Sequence, residues 1–176
     1  MAWTDPDTAH KPTTGNVIPT SWGTMVNQNL LHLYKLLTSP PMIIAYRSPQ
    51  TTLGPGNPNI ALTSILRDTM PQWGYAPGWT AAQKIYIWLR HPGVYLVFAR
   101  VIFAVSTFDF ALRLWRDGDQ LIAIDQPRAH AAASGANPIT TVVSDGTTRI
   151  HMQVQGTTDG LVMEGTAMLG AVWLGQ

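Results

Sequence analysis

The chain is 176 residues long, contains no cysteine, and carries 11 lysines and arginines against 10 aspartates and glutamates. Only 12% of its residues are charged, about half the usual fraction in globular chains. This composition excludes disulfide scaffolds, thiolate zinc sites and thiol nucleophiles, and it argues against a protein that binds nucleic acid through basic charge.

A surface so poor in charge favours an oligomer or a component of an assembly. Glutamate and lysine, which favour helical surfaces, are scarce, whereas 15 glycines and 13 prolines supply many turns. The composition therefore predicts a strand-rich protein. We expect it to be soluble and not inserted in a membrane, because residues 1–20 lack the features of a signal peptide and the apolar run 94–105 is too short to span a bilayer.

Residues 1–20 are rich in proline and threonine, show no periodicity, and are interpreted as an extended arm. Trp3 in this arm is expected to dock onto another protein or to fold back onto its own domain. Residues 21–39 are predicted to form an amphipathic helix that ends before Pro40 and Pro41. Its apolar positions recur at steps of three and four residues: Trp22, Met25, Val26, Leu30, Leu33 and Leu37. The partner of this apolar stripe is either the chain's own domain or identical helices of sister chains.

Residues 40–176 are predicted to form an antiparallel β-sandwich, because short apolar segments recur about every 8–12 residues with turn signals between them. Tight turns are expected at Asp117-Gly118 and at Asp145-Gly146, and the second of these is expected to pair strand 139–144 with strand 148–155. The other predicted strands are 42–46, 60–66, 84–89, 94–106, 108–115, 121–125, 161–163 and 167–174.

The strand 94–106 is apolar on both faces except for Arg100. The interpretation favoured here is an interior arginine paired with Asp125 or Asp109. The alternative is an arginine on a symmetry axis that fixes the register of an oligomer or binds an anion.

The segment 67–80 is predicted to be a long loop that carries Trp73, Tyr75 and Trp79. These aromatic side chains form a candidate surface-binding loop, since aromatic rings anchor interfaces and stack on sugars. Packing between subunits is an equally good explanation of the loop.

We find no residues in a pattern that supports catalysis. The five histidines have no metal-ligand spacing, and no Gly-x-Ser-x-Gly motif is present. Asp117 and Asp119 bracket a turn glycine, which explains them as turn residues. We therefore expect neither an enzyme nor a bound metal or cofactor.

Residues 92–105 resemble the core strand of the complement globular-head and tumour-necrosis-factor-like jelly roll. In that family a Pro-Gly turn is followed two residues later by a tyrosine, which Gly93 and Tyr95 match. The hairpin at 112–118 and the terminal segment 171–175 are similar as well. The resemblance covers about residues 58–176 and implies a homotrimer, with Arg100, Tyr95, Phe103 and Trp173 at the trimer axis or interface.

The segment 22–31 is similar to segments that precede such heads in virion proteins of tailed bacteriophages. The resemblance implies a virion location and an anchor in residues 1–40, with contacts to other virion proteins through Trp3, Trp22, Val26, Leu30 and Leu33. We expect a non-enzymatic structural protein at the tail, where its head would touch a host-surface glycan or protein. The alternatives are a capsid-decoration or head-fibre protein and a free lectin-like carbohydrate-binding module.

Overall fold

The structure, a computed structural model, describes residues 20–48, 51–53, 56–103, 110–126, 134–155, 161–163 and 166–175. The chain divides into two compact units, Met1–Pro40 and Pro41–Gln176. The extended arm predicted for residues 1–20 falls almost entirely outside the described residues.

The described part of the first unit is one helix, α1 (Thr20–Thr38), which confirms the predicted helix to within a residue at each end. Its end is tightened by the backbone N–H of Ser39, which donates to Lys35, and by the hydroxyl of Thr38, which donates to the carbonyl of Tyr34. A proline pair follows and prevents the helix from continuing. No helix among the described residues is long and apolar enough to cross a membrane.

The second unit consists of strands packed as two antiparallel sheets, which confirms the predicted β-sandwich. A short 3-10 helix, Met70–Trp73, lies between the third and fourth strands. The described strands are β1 (Met42–Arg47), β2 (Thr51–Leu53), β3 (Ser64–Asp68), β4 (Tyr86–Trp88), β5 (Gly93–Phe103), β6 (Ala111–Arg116), β7 (Gln120–Asp125), β8 (Ser134–Ala136), β9 (Ile139–Ser144), β10 (Arg149–Gln155), β11 (Leu161–Met163) and β12 (Ala167–Gly175).

The large sheet is built around β5, the longest strand. Its order is β2-β11-β5-β12-β1-β3, and β8 and β9 also pair with β5. The small sheet has the order β4-β10-β6-β7. Between them lies one apolar core, to which the small sheet contributes Ile87, Leu112, Leu114, Ile150, Met152 and Val154, all completely buried.

The predicted pairing of strand 139–144 with strand 148–155 is wrong. β9 pairs with β5 of the large sheet, whereas β10 pairs with β4 and β6 of the small sheet. Asp145-Gly146 is therefore part of a corner between the sheets, not a hairpin turn. The corner is held by the buried hydroxyl of Ser144, which donates to Leu89 O at 2.8 Å and accepts from Gly146 N at 3.0 Å.

Two strands were not predicted. β2 and β8 lie in parts of the chain for which the sequence predicts no strand. Both are only three residues long, so their sequences are too short to show an alternating pattern.

Candidate interaction surfaces

The predicted surface-binding loop is folded inward. Trp73 and Trp79 are only 8% and 5% exposed, and Tyr75 is half-buried against the core. The carboxylate of Asp68 closes the loop, because it accepts hydrogen bonds from Met70 N at 2.9 Å and from Gly78 N at 2.7 Å. The indoles therefore do not offer free ring faces to a ligand, and this interpretation of the loop is corrected.

The loop contributes instead to an aromatic cluster around His91. The His91 ring makes edge contacts with Trp73, Tyr75 and Trp173, with ring centroids 6.0, 4.9 and 5.0 Å apart. Trp173, which was predicted at the trimer axis or interface, packs here against the core, and its Nε1–H donates to Pro92 O at 3.0 Å. The cluster fixes the turn that leads into β5.

Tyr95 and Phe103 are core residues, not interface residues. Both side chains have no exposed surface within the single chain. The Tyr95 hydroxyl donates to His91 O at 2.8 Å, and burial raises the pKa of this phenol far above its usual value. Phe103 packs on Phe110. Neither side chain is accessible to a second subunit, so their assignment to the trimer interface is wrong.

Arg100 lies on the opposite face of β5 and is exposed. The favoured interpretation, an interior arginine paired with an aspartate, is therefore wrong. Asp109 lies outside the described residues, and the carboxylate of Asp125 accepts a hydrogen bond from Asn137 N at 2.7 Å. Arg100 instead marks the side of β5 that points away from the core.

The outward face of the large sheet is strongly apolar. It consists of the residues that β5, β9, β12 and β1 turn away from the core: Val94, Leu96, Phe98, Arg100, Ile102, Ile139, Thr141, Val143, Met168, Gly170, Val172, Leu174, Met42, Ile44 and Tyr46. Arg100 is the one charged side chain among these described positions. Ile139, Val143 and Leu174 are 60%, 64% and 57% exposed.

Gly170 allows this face to be flat. The ring of Phe98 lies directly over Gly170, where an added methyl group would overlap the ring carbons. Ile139 stands opposite Phe98 on β9. The sheet therefore offers a broad hydrocarbon surface of a kind that soluble proteins rarely leave to water.

The predicted anchor residues lie on α1, except Trp3, which is outside the described residues. Leu30 and Leu33 are 60% and 42% exposed, and Val26 is partly exposed. The side chain of Trp22 is also outside the described part. The exposed leucines keep the helix available as a contact surface, and their role in a virion stays a prediction.

A second surface, which was not predicted from the sequence, lies on the outer face of the small sheet. We call it the small-sheet face, and it comprises Tyr86, Trp88, Arg90, Arg113, Trp115, Arg149 and His151. The register of the sheet sets Tyr86, His151 and Trp115 side by side across β4, β10 and β6. Arg149 stands directly opposite Trp88.

The guanidinium groups of the small-sheet face lie over its aromatic rings. The guanidinium carbons of Arg90 and Arg149 lie 3.7 and 5.8 Å from the Trp88 ring centroid, and that of Arg113 lies 6.0 Å from the Trp115 centroid. Burial, and then the charge of Arg149, lower the pKa of His151, so the imidazole is neutral at pH 7. The sequence signal for this surface was the alternation of arginine and aromatic residues on the polar side of three predicted strands.

The described residues contain no group of three or more histidines and carboxylates that could hold a metal ion. The carboxylates in the tight turns have local roles. Asp145 accepts hydrogen bonds from the N–H and hydroxyl of Thr147, which lower the pKa of its carboxyl group. Asp117 accepts from Arg149 N at 2.9 Å and pairs with Arg116 at 3.2 Å.

Comparison with known proteins supports the fold. No family model and no curated protein sequence matches this chain. Among solved structures, the chain is similar to the globular domain of the zebrafish complement 1qA protein, with a TM-score of 0.57 and 10% identity over 77% of this chain and 99% of that chain. It is also similar to murine APRIL at pH 8.0, with a TM-score of 0.53 and 15% identity over 76% of this chain and 99% of that chain. The predicted jelly-roll fold of the complement-head and tumour-necrosis-factor-like type is thereby confirmed.

Proposed function

We propose that this chain is the non-enzymatic head subunit of a homotrimer that serves as a structural protein of a bacteriophage particle. The observation that carries the trimer is the outward face of the large sheet. Burying one isoleucine or phenylalanine side chain contributes about 1.5–3 kcal/mol, so a face with many such side chains gains strongly from a second copy of itself. Its low charge lets that association proceed without burying many ionised groups.

A threefold arrangement also explains Arg100 without an interior partner. In a trimer, the exposed Arg100 side chains of the three subunits are related by the threefold axis. Such a set fixes the register of the subunits more than it stabilises them. This agrees with the interpretation of Arg100 as an axial residue.

The trimer is tested by placing a charge on the proposed interface. We expect Ile139→Asp to abolish or weaken assembly, because Ile139 is 60% exposed in the single chain and would be buried in the trimer. The matched control is Ile124→Asp on the small sheet, where Ile124 is 45% exposed. Light scattering behind a sizing column should show a lower mass only for Ile139→Asp, with circular dichroism confirming that both variants fold. An unchanged mass for Ile139→Asp overturns the proposed interface.

The virion role is proposed from the segment 22–31 and from the exposed leucines of α1. We propose that residues 1–40 join the particle and that the head projects from the tail. The buried Trp73 and Trp79 no longer support adhesion by the loop, so a tail position depends on the small-sheet face instead. Capsid decoration is the alternative location.

Both parts of this proposal are testable in the full chain. Immuno-electron microscopy of particles should place the head at the tail, whereas label on the capsid supports decoration and no label contradicts a virion role. The double variant Leu30→Asp/Leu33→Asp should remain a trimer in solution and be lost from particles. The control variant Asn27→Asp/Gln28→Asp changes two exposed polar residues of the same helix and should still incorporate.

A further inference from the structure

The small-sheet face has the composition of a surface for an anionic ligand. Three arginines stand around a row of rings. The carboxylate of Asp117 lies at one end, where its oxygens contact Arg116 at 3.2 Å and Arg149 at 3.9 Å. Among the described residues, no carboxylate lies within ion-pair distance of Arg90 or Arg113. The face therefore holds a surplus of positive charge on a protein whose formal net charge is only +1.

The arginines are held in place before any ligand arrives. The guanidinium group of Arg90 lies on the indole of Trp88, and Arg149 lies near both Trp88 and Tyr86, at 5.8 and 5.7 Å from the ring centroids. Cation–π contact restricts these long side chains, and the planar guanidinium group keeps its fixed pattern of N–H donors. Two like charges gathered at one indole repel each other, and a bound anion removes that repulsion.

The geometry points to binding of an acidic polysaccharide on the small-sheet face. In this arrangement Arg90, Arg113 and Arg149 hold carboxylate or phosphate groups of the chain, for which the planar guanidinium group is suited. The half-buried rings of Tyr86 and Trp115 supply apolar surface against which sugar rings pack, and His151 between them is only 9% exposed and fills the space beneath. Since neighbouring strands lie about 4.8 Å apart, a row across three strands has the length of about two sugar rings.

The same features disfavour single-stranded nucleic acid. Nucleic-acid binders of this kind combine a long basic groove with free aromatic faces on which bases stack. In the part of the chain that the structure describes, the three arginines are gathered on one face of a four-stranded sheet, which is too short to form a long basic groove. Three arginines also neutralise few phosphates.

This inference goes beyond the proposed trimer and does not depend on it. The outward face of the large sheet and the small-sheet face lie on opposite sides of the sandwich, so that a trimer leaves the small-sheet face open. Mass in solution tests the trimer, whereas ligand binding tests this inference. Failure of either is therefore distinguishable from failure of the other.

The experiment is a calorimetric titration of the full chain with four probes. An oligogalacturonate carries carboxylates, a poly(glycerol phosphate) carries phosphodiesters, a dextran oligosaccharide is neutral, and an oligothymidylate is a nucleic acid. We expect binding to one or both acidic probes that weakens with added salt, and no measurable binding to dextran. The stronger of the two acidic probes identifies the anion.

The variants Arg90→Gln and Arg149→Gln should each weaken binding about tenfold or more, as expected for the loss of a charge-assisted hydrogen bond. Arg67→Gln is the matched control, because Arg67 is exposed on β3 of the large sheet and the change in net charge is the same. Thermal melting confirms that each variant is folded. Equal binding of dextran, tighter binding of oligothymidylate, an equal loss in Arg67→Gln, or no binding of either acidic probe overturns the inference.

Discussion

The turn that opens β5 should be intolerant of a single methyl group. Gly93 has φ +133°, and a side chain added there would overlap the Trp173 indole and the backbone oxygen of Gly175. We expect Gly93→Ala to suffer backbone strain of about 1–3 kcal/mol. Displacing the Trp173 indole, whose Nε1–H lies 3.0 Å from Pro92 O, should cost about 0.5–1.5 kcal/mol more.

The expected loss in free energy of unfolding is therefore about 1.5–4.5 kcal/mol, which for a chain of this size lowers the melting temperature by about 3–18 °C. Gly118→Ala is the control, because Gly118 also has a positive φ, of +100°, but has no atom within 4 Å of the added carbon. Gly118→Ala should therefore show the backbone strain of a positive φ without the steric overlap that the Gly93 variant has with Trp173 and Gly175. Thermal and urea unfolding of the two variants measure the difference. A Gly93→Ala protein as stable as Gly118→Ala would refute this account of the turn.

Two further outcomes are expected from the buried polar groups. Tyr95→Phe removes the hydrogen bond to His91 O, of 2.8 Å, and should lower the free energy of unfolding by about 0.5–1.5 kcal/mol in urea titrations, whereas Tyr86→Phe should be neutral. Because the pKa of His151 is lowered in the folded state, its contribution to stability is fully present above the unfolded value near 6.5 and is lost as the pH falls through the folded value. Urea titrations at pH 7.5 and 5 should show that loss in the wild type and a smaller one in His151→Gln, and equal losses would count against the burial of this imidazole.

The fold was largely predictable because alternation of apolar and polar residues and the turn residues are local signals. The Asp117-Gly118 hairpin is formed as predicted between β6 and β7. Asp145-Gly146 has the same kind of sequence, but it connects β9 of the large sheet with β10 of the small sheet. What decides between the two is the packing of Val142 and Ile150 into the core from opposite sheets, which is not a local property.

The errors in the candidate site have a similar cause. β5 is apolar on both faces, so its sequence does not indicate which set of alternate side chains is buried in the core. Tyr95 and Phe103 were assigned to the interface, although both occupy odd-numbered positions of β5 and Arg100 occupies an even-numbered one. A charged residue is expected to point away from the core, so Arg100 indicated that the even-numbered side chains are the outward ones. The burial of Trp73 and Trp79 depends on the closure of their loop by Asp68, and composition alone does not predict such a closure.

The outward face of the large sheet and its role in assembly form the central claim of this account. The measurement that tests it most directly is the mass of the full chain in solution, by light scattering behind a sizing column. We expect about three times the chain mass of 19.3 kDa. A mass of 19.3 kDa at concentrations well above micromolar would contradict it, because the apolar face would then be stable in water without a partner.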